Sequence, residues 1–340
     1  MVQPISLSDD KVSTGSLVID PCMDALLEPT QRSAVAALAA ALANRKCEDE
    51  DGQGLYDDFG ALLRYLRARN WDPDRAEAMI RSTARWRKEF GYSAVISGGR
   101  QEEVARENAL GNVYVRGFDR SGRPAIYLKP GGAGWGGTSG VYHLVYCIER
   151  AIACVECQAE RGNLVLQADD PTSRKFVLLA DFSGVGLGTP MGVVRQYIQI
   201  MQDHYPERLG QAFFVNAPFL MWGFFSAASS FADPVTVMKL QFISEESSAR
   251  RQRMSEFFDL AVLEPGFGGT AKEQFESAIF LTTKINDSLF GLEFSEQLKA
   301  SALSNGHAIS NTCSLVWGEE QQGVFWSICR SLTVLALSAK

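Results

Sequence analysis

Hydrophobic positions in the amino-terminal third of the chain recur at helical spacing. Three segments show this pattern: QRSAVAALAAALANRK, LYDDFGALLRYLRARN and DPDRAEAMIRSTARWRKEFG. In the third segment Asp72 is a suitable N-cap, Pro73 fits the first helical turn, and Gly91 is a typical helix terminator. The pattern predicts a helical module over residues 31–110, preceded by a flexible tail over residues 1–30.

After residue 110 the pattern becomes that of strands alternating with helices. NVYVRGF and RPAIYLKP flank a DRSG turn, which predicts a β-hairpin. KFVLLADF and AFFV are continuous apolar runs separated by a helical segment from about Met191 to Asp203, which is typical of parallel strands joined by a crossover helix. The predicted α/β domain extends over residues 111–281. Its other predicted elements are a long helix from near His143, a strand at KLQFIS, a helix at SARRQRMSEFFD and a closing strand at AVLEPGFGG.

A long apolar stretch from Ala212 to Ala232 contains no charged residue. Its length would allow a membrane span, which needs about 20 apolar residues. Asn216 followed by Pro218 would break a helix near its start, however, and three serines within the run are polar. We therefore predict a short buried strand, a break, and an apolar helix from about residue 219 to residue 231.

This apolar helix would carry bulky hydrophobic side chains on nearly every side. The residues concerned are Phe219, Leu220, Met221, Trp222 and Phe224. Such a helix must bury all its faces or meet an apolar partner. A buried core helix, the wall of a lipid-filled pocket and a membrane-contacting helix all satisfy this requirement, and the pattern alone leaves the three interpretations open.

The composition is that of a globular protein with one large or two modest domains. The 340-residue chain has a formal net charge of −7, which argues against nucleic acid as a partner and against docking on an acidic membrane by charge alone. The first residues, MVQPISLSDDKVSTG, lack the basic start and apolar core of a signal peptide. We therefore expect a cytoplasmic protein that contacts membranes peripherally, through apolar insertion.

Candidate catalytic and metal-binding residues are few. Among the seven cysteines, Cys154 and Cys157 form a CxxC pair, but the chain has no second CxxC, and Cys147 and Cys154 share one face of a predicted helix. We interpret these cysteines as small apolar core or pocket-wall residues. The three histidines accompany no GxSxG nucleophile sequence, and no cluster has enough ligands for a metal ion. We expect no enzymatic activity, no metal and no cofactor.

The glycines at 184, 186 and 188 follow a predicted strand and precede a predicted helix, as in a dinucleotide-binding loop. Their spacing is GxGxG rather than GxGxxG, and Thr189 and Pro190 delay the helix, so that a pyrophosphate would not meet its amino terminus. We interpret the segment as a flexible turn over a pocket. At the end of the same helix, His204 is a side chain capable of carrying a positive charge, which suits a position beside the last helical carbonyls.

Several motifs, in a fixed order, resemble those of the CRAL-TRIO lipid-binding family. LLRYLRARNWDPDRAEAMIRSTARWRKEFG resembles its amino-terminal helical module, GFDRSGRPAIYL its first hairpin and KFVLLADFSGVG its central strand. YPERLGQAFFVNAP followed by DPVTVMK resembles its pocket and gate, and EPGFGG its closing strand. Within the family the spacing is similar to that of the secretory-type phosphatidylinositol transfer proteins. The resemblance covers roughly residues 56–269 and implies a helical module followed by a lipid-binding α/β domain, with a mostly parallel sheet as floor and a mobile helical gate.

The resemblance also implies a site for the phosphatidylinositol headgroup. The corresponding residues are Arg69, the last Arg of LRAR; Glu207, the Glu of PER; and Thr236 and Lys239, the Thr and Lys of DPVTVMK. Further candidates are Arg208 and Asp119. A carboxylate can accept hydrogen bonds from inositol hydroxyls, and cationic groups can bind the phosphate. A simple ion pair between the helical module and the following domain would also account for Arg69 and Glu207.

The family's phosphatidylcholine site does not carry over. Where its pattern has two tyrosines and two hydroxyl residues, this chain has Val115, Ile126, Phe176 and Leu178, which cannot hydrogen-bond a zwitterionic headgroup. A shift of the alignment by one residue would place Tyr114 at one of these positions. We therefore expect a second, more apolar ligand, such as a sterol or another neutral lipid. The expected lining of the pocket is Phe176, Leu178, Met201, Phe213, Val215, Phe225, Phe231, Val235 and Met238.

These inferences lead us to expect a protein that binds and transfers phosphatidylinositol and meets membrane surfaces transiently, with a lipid kinase as a further candidate partner. Two alternatives stay open: a carrier of a small hydrophobic ligand of the sterol, tocopherol or retinoid type, and a lipid-sensing regulatory module. Residues 282–340 lie outside the resemblance and have no assigned role. Their apolar end, VFWSICRSLTVLALSAK, is interrupted by Arg330 and is too short to span a membrane comfortably.

Overall fold

The structure, a computed structural model, describes most of the chain up to residue 282. The described residues are 24, 26–43, 53–137, 139–160, 174–186, 189–218, 239–243, 246–272 and 274–282. The apolar helix predicted from 219 to 231, most of the predicted tail and all of the extension after residue 282 lie outside these ranges. None of the helices within them combines the length and hydropathy needed to cross a bilayer.

The helices and strands follow the predicted order. The helices are α1 (Pro29–Ala43), α2 (Gln53–Tyr56), α3 (Phe59–Arg67), α4 (Pro73–Phe90), α5 (Tyr92–Ile96), α6 (Gln101–Ala109), α7 (Gly140–Glu160), α8 (Met191–His204), α9 (Ser247–Ser255) and α10 (Ser277–Thr282). The strands are β1 (Val113–Phe118), β2 (Pro124–Leu128), β3 (Phe176–Asp181), β4 (Leu209–Val215) and β5 (Leu240–Phe242).

The helical module has a hydrophobic core of its own. Helices α1, α3 and α4 contact one another, and Leu38 and Ile80 are fully buried between them. Asp72 caps α4 by accepting a hydrogen bond from the Arg75 amide at 3.0 Å, and Gly91 ends the helix with a φ of 72°. The three predicted helices and both predicted ends of the third are therefore confirmed.

The helices α2, α5, α6 and α10 were not predicted as separate elements. The core of the module extends to Ala84, whereas Val95 and Val104, on α5 and α6, belong to the larger core of the α/β domain. Side-chain packing therefore divides the chain between Ala84 and Val95. The domain limits given above remain predictions.

The described part of the α/β domain contains a five-stranded sheet in the order β1-β2-β3-β4-β5. Strands β1 and β2 form the predicted antiparallel hairpin, and β2 to β5 are parallel. Helix α7 connects β2 to β3, and α8 connects β3 to β4. Strand β2 is buried along its whole length and β3 at all but its last residue, as expected for strands covered on both faces. The predicted fold class, a helical module followed by a mostly parallel α/β domain, is confirmed.

The closing strand predicted at AVLEPGFGG is wrong. Pro265 begins a 3₁₀ helix that ends at Phe267, and Gly268 follows with a φ of 87°, so the segment cannot continue as an extended strand. Glu264 instead contacts the hairpin, where it accepts a hydrogen bond from the Tyr114 hydroxyl at 2.5 Å. The segment closes the domain through side-chain contacts rather than through backbone pairing.

The cysteines of α7 behave as the small apolar residues that the sequence predicts. Cys147 and Cys157 are buried, Cys154 is half-buried, and all three are free thiols. Burial raises the pKa of Cys154 to about 11. This thiol is therefore protonated at neutral pH and has little nucleophilic character.

Candidate functional site

A largely apolar pocket lies between one face of the sheet and helix α8. Its apolar lining residues are Met79, Leu128, Phe176, Leu178, Ala180, Phe182, Val194, Ile198, Met201, Leu209, Ala212, Phe214 and Leu240. Helix α8 faces the pocket with Val194, Ile198 and Met201. Their spacing of i, i+4 and i+7 places them on one side of the helix. Phe176, Leu178 and Met201 are therefore located where the sequence predicted them.

The floor of the pocket follows the register of the sheet. Val115 pairs with Ile126, Ile126 with Leu178, Leu178 with Ala212, and Ala212 with Leu240. Paired residues of neighbouring strands point to the same face of a sheet. Because the last three residues of this row line the pocket, the row is a continuous hydrocarbon surface on the pocket face.

Two predicted lining residues, Phe213 and Val215, lie on the opposite face of the sheet. Both are fully buried, and the ring of Phe213 contacts that of Phe257 at a centroid distance of 4.9 Å. Their strand neighbours Ala212 and Phe214 line the pocket instead. The prediction was wrong by one residue because the carboxyl-terminal half of β4 is apolar on both faces, so its sequence does not indicate which alternate positions face the pocket.

Three of the predicted headgroup residues meet at one end of this pocket. Arg69 comes from the turn after α3, Glu207 from the turn between α8 and β4, and Lys239 from the position before β5. All three line the pocket, together with the polar side chains of Arg67 and Gln202. The fold thus brings together two separate parts of the α/β domain and the helical module.

The charges of this polar end are unequal, since two of the three predicted residues are cations. The Oε2 atom of Glu207 lies 3.9 Å from Nζ of Lys175. Arg69 donates a hydrogen bond to the carbonyl of Ala68 at 2.8 Å. No carboxylate of a described residue lies within ion-pair distance of Lys239. An anionic group entering the pocket would therefore meet the Lys239 ammonium group, for which no described carboxylate is an ion-pair partner, and Arg69, which interacts electrostatically with Asp203.

Asp119 has a different role from the one that the resemblance implied. It is buried in the turn between β1 and β2, where its carboxylate accepts hydrogen bonds from the amides of Ser121 and Arg123 at 2.9 and 2.8 Å. The Nε atom of Arg123 lies 2.7 Å from the same carboxylate. Asp119 is not part of the pocket lining, and it stabilises the tight turn of the hairpin.

Arg208 also lies away from the pocket lining. It is buried with 7% of its surface exposed, and its guanidinium donates hydrogen bonds to the carbonyl of Arg174 at 2.9 Å and to Glu156 at 3.4 Å. Burial lowers the pKa of Arg208 to about 10, with a further contribution from nearby Arg64, so the side chain stays charged at neutral pH. The sequence did not reveal this role, because adjacent residues in a turn can point in different directions.

The remaining predicted site residues lie outside the described part of the chain. They are the headgroup residue Thr236, the lining residues Phe225, Phe231, Val235 and Met238, and the gate residues Phe219, Leu220, Met221, Trp222 and Phe224. Their roles stay predictions.

The sequence analysis overlooked Tyr197 and Tyr205, which both line the pocket. Each lies four residues from Met201 along α8, on the same helical face. Helical spacing from Met201 would therefore have identified both residues. The Tyr205 hydroxyl donates a hydrogen bond to Glu149 at 2.8 Å.

The carboxyl end of α8 packs against the helical module. The ring of His204 stacks on Trp86 at a centroid distance of 4.1 Å, and its Nδ1 atom lies 3.3 Å from the Thr83 hydroxyl. Burial, followed by the charge of Arg87, lowers the pKa of His204 to about 4. At physiological pH the ring is therefore neutral, and it does not supply a positive charge beside the last helical carbonyls.

Acidification is expected to lower the stability of the protein through His204. The folded-state pKa of about 4 lies below the ordinary value of 6.5, so the unfolded chain binds this proton more readily, and stability decreases as the pH falls from 6.5 to about 4. Thermal unfolding at pH 7 and pH 5 tests this for the wild type and for His204→Phe, which retains an aromatic ring against Trp86. The fall in Tm should be smaller in the variant. Equal falls would show that His204 does not contribute.

The glycine-rich loop after β3 has a structural explanation. Gly184 has a φ of 75°, and a Cβ atom on Gly131 would lie 2.1 Å from the carbonyl oxygen of Ser183. The loops after β2 and β3 therefore approach each other so closely that a side chain at Gly131 would clash with the backbone. The positive φ of Gly184 and its close approach to Gly131 therefore explain the glycine at 184, and no bound nucleotide is needed to explain it.

Comparison with known protein families identifies both parts of the chain. Residues 37–82 match the CRAL/TRIO N-terminal domain, and residues 108–269 match the CRAL/TRIO domain. The first match contains Arg69, and the second contains Glu207, Lys239 and the strands of the pocket floor.

Similar proteins are found in fungi. A CRAL-TRIO domain-containing protein of Schizosaccharomyces pombe is 34% identical over 182 residues, which cover 53% of this chain and 16% of that protein. The SEC14 cytosolic factor of Eremothecium gossypii is 32% identical over 192 residues, 54% of this chain and 61% of that protein. The phosphatidylinositol transfer protein PDR17 of Saccharomyces cerevisiae is 30% identical over 189 residues, 53% of this chain and 51% of that protein.

The match with each of these relatives spans less than two thirds of the relative's length. The two family matches occur in the expected order along the chain, and the second includes the strands of the pocket floor. The chain therefore belongs to the CRAL-TRIO family.

Proposed function

We propose that this protein binds phosphatidylinositol in the pocket between the sheet and α8 and exchanges it at membranes. The observation that carries the proposal is the presence of Arg69, Glu207 and Lys239 together in the lining of a largely hydrocarbon pocket. These residues come from three separate segments of the chain. An apolar pocket with one polar, mainly cationic end fits a lipid with two acyl chains and an anionic headgroup.

The chemistry of the headgroup matches these three residues. The carboxylate of Glu207 can accept hydrogen bonds from inositol hydroxyls, while Arg69 and Lys239 can bind the phosphodiester. The acyl chains would contact the hydrocarbon floor, where burial of apolar surface contributes about 25 cal/mol per Å². The name of the yeast relative PDR17, a phosphatidylinositol transfer protein, supports this assignment.

A second ligand is proposed to be more apolar than phosphatidylcholine. Val115, Ile126 and Leu178 follow one another across the pocket face, and none offers a hydrogen bond. Tyr114 does not replace one of them, because its hydroxyl points to the other side of the sheet and donates to Glu264 at 2.5 Å. Phosphatidylcholine would therefore bury its headgroup without partners on this floor.

The same hydrocarbon floor favours one alternative, a carrier of a small neutral ligand such as a sterol, a tocopherol or a retinoid. In that case the three polar residues would have a structural role, and the bound ligand would lack phosphate. A lipid-sensing regulatory module would hold the same ligands without exchanging them. The uncharged segment from 219 to 231, outside the described residues, is the part proposed to meet the membrane surface, and a lipid kinase is a candidate recipient of the lipid.

The identity of the bound lipid tests the proposed function. We expect native mass spectrometry of the full chain, after incubation with vesicles containing phosphatidylinositol, phosphatidylcholine and cholesterol, to detect one phosphatidylinositol per protein. Extraction of the purified complex would confirm the lipid class. Phosphatidylcholine as the main ligand would contradict the argument from the hydrocarbon floor. A phosphate-free ligand alone would favour the small-ligand carrier.

A further inference from the structure

Helix α10 docks against α6 and α7 and leads the chain out of the described ranges. The Asn108 side chain on α6 donates hydrogen bonds to the carbonyl of Ser277 at 3.1 Å and to its hydroxyl oxygen at 2.5 Å. The buried ring of Phe280 lies under the guanidinium of Arg150 on α7, at 4.4 Å from the ring centroid. The description ends two residues later, at Thr282. The chain therefore leaves the described ranges close to the middle of α7.

The side of α7 on which α10 docks continues towards the carboxyl end of the helix. Tyr146 also contacts Phe280, with a distance of 6.2 Å between the ring centroids. The residues that follow Tyr146 on the same side, at i+4, i+7 and i+11, are Arg150, Ala153 and Cys157. Ala153 is 5% exposed and Cys157 is 7% exposed. This side of α7 is therefore buried for about two helical turns beyond Arg150.

The two hydrophobic cores of the described chain do not account for this burial. In α7 the buried residues of the larger core end at Ala151, with Ile152 packed against them. Ala153 and Cys157 belong to neither core, although both are buried. Their burial points to a cover from a segment outside the described ranges.

The residues that follow α10 are placed to provide this cover. Between Arg150 and Cys157 the axis of α7 rises by about 10 Å, at 1.5 Å per residue, and seven residues after Thr282 can span that distance even in helical conformation. The segment that follows contains two apolar series at helical spacing, which are Ile285, Leu289 and Leu292, and Phe290, Phe294 and Leu298. Apolar residues at this spacing can lie along one side of a neighbouring helix.

We propose that residues 285–298 dock on the side of α7 formed by Arg150, Ala153 and Cys157, and continue the contact that α10 begins. This segment is the occupant because it follows α10 directly, can reach Cys157 and carries apolar residues at helical spacing. The docking gives part of the extension after residue 282 a role, which is to cover an apolar side of the α/β domain. It does not depend on which lipid the pocket holds.

The accessibility of the Cys157 thiol tests this docking in the full chain. The protein is treated with N-ethylmaleimide, and tandem mass spectrometry of its peptides gives the labelling rate of each cysteine. In the wild type, Cys157 should react much more slowly than in the urea-unfolded chain. In Leu289→Asp its labelling should be at least roughly tenfold faster, because a carboxylate without a partner is unfavourable in an apolar contact.

Cys147 is the internal control for the integrity of the fold. Its Sγ atom lies 3.8 Å from the carbonyl oxygen of Val113 on β1, and its side chain is fully buried, so it should stay unlabelled while the domain is folded. Asn286→Asp is the matched control variant, since it adds the same charge at a polar position of the same segment and should leave Cys157 protected. If Leu289→Asp exposes Cys147 as well, the milder Leu289→Ala decides, with faster labelling of Cys157 alone as the expected result.

Three results would overturn the proposal. Rapid labelling of Cys157 in the wild type would show that this side of α7 is uncovered. Unchanged labelling in Leu289→Asp, or in Leu289→Ala where the first variant is unfolded, would show that other residues cover it. Leu337→Asp, in the apolar end of the chain, tests the nearest alternative occupant: faster labelling of Cys157 in this variant alone would assign the cover to the end of the chain.

Discussion

The Glu207→Gly variant is expected to lose phosphatidylinositol transfer while its stability stays the same or rises by up to about 1 kcal/mol. Transfer is lost because the inositol hydroxyls no longer meet a carboxylate acceptor. Stability does not suffer because Glu207 has a φ of 58°, a left-handed conformation that is unfavourable for residues with a side chain and accessible to glycine. Transfer between vesicles and thermal unfolding of the same preparation measure the two effects.

The opposite signs of these effects make the experiment informative. A residue that serves only the fold loses stability when it is removed, whereas a residue held in a strained conformation for binding loses function alone. The contact of Glu207 with Lys175, at 3.9 Å, is long for an ion pair and partly exposed, so its loss should cost little. A Glu207→Gly protein that transfers phosphatidylinositol normally would remove Glu207 from the headgroup site.

Lys239→Ala tests the other side of the same site. We expect at least roughly a tenfold decrease in phosphatidylinositol transfer, because a hydrogen-bonded charge at the phosphate contributes about 1.5–3 kcal/mol. Lys272→Ala is the matched control, since it removes the same charge from an exposed position outside the pocket lining. Equal transfer by the two variants would show that the effect of Lys239 is not local.

The sequence predicted the elements well where local signals are strong. The Asp72 cap, the Gly91 terminator and the helical period specified α4 at both ends, and the DRSG turn specified the hairpin. The parallel strands followed from continuous apolar runs around a helix. The closing strand failed because the conformation of Pro265 to Gly268 outweighed the apolar pattern around it.

The site was harder to predict, because side-chain direction depends on tertiary structure. Glu207 and Arg208 are adjacent in the chain, yet one lines the pocket and the other is buried beside Glu156. Phe213 was assigned to the pocket face although the pocket-facing residue is its neighbour Phe214. In both cases the local sequence does not alternate regularly between polar and apolar residues, so it does not indicate the direction of each side chain.

The Arg208→Ala variant is expected to lose about 3 kcal/mol of stability, the effect of breaking a buried charged network. The carbonyl of Arg174, which now accepts a hydrogen bond from Arg208 at 2.9 Å, would lose that donor. Glu156 would keep its ion pair with Arg174, which limits the loss. For a domain of this size the change corresponds to a decrease in Tm of roughly 10 °C, measurable by thermal unfolding.

The functional outcome of the same variant distinguishes a structural role from the headgroup contact that the resemblance implied. At a temperature well below its Tm, Arg208→Ala should transfer phosphatidylinositol as the wild type does, because the guanidinium lies outside the pocket lining. Arg208→Lys should be destabilised as well, since a single ammonium group cannot reproduce the two directed contacts of the guanidinium. A stable Arg208→Ala protein without transfer would reverse the assignment. Arg208 would then reach the headgroup, and the burial of its side chain beside Glu156 would have to change when the lipid binds.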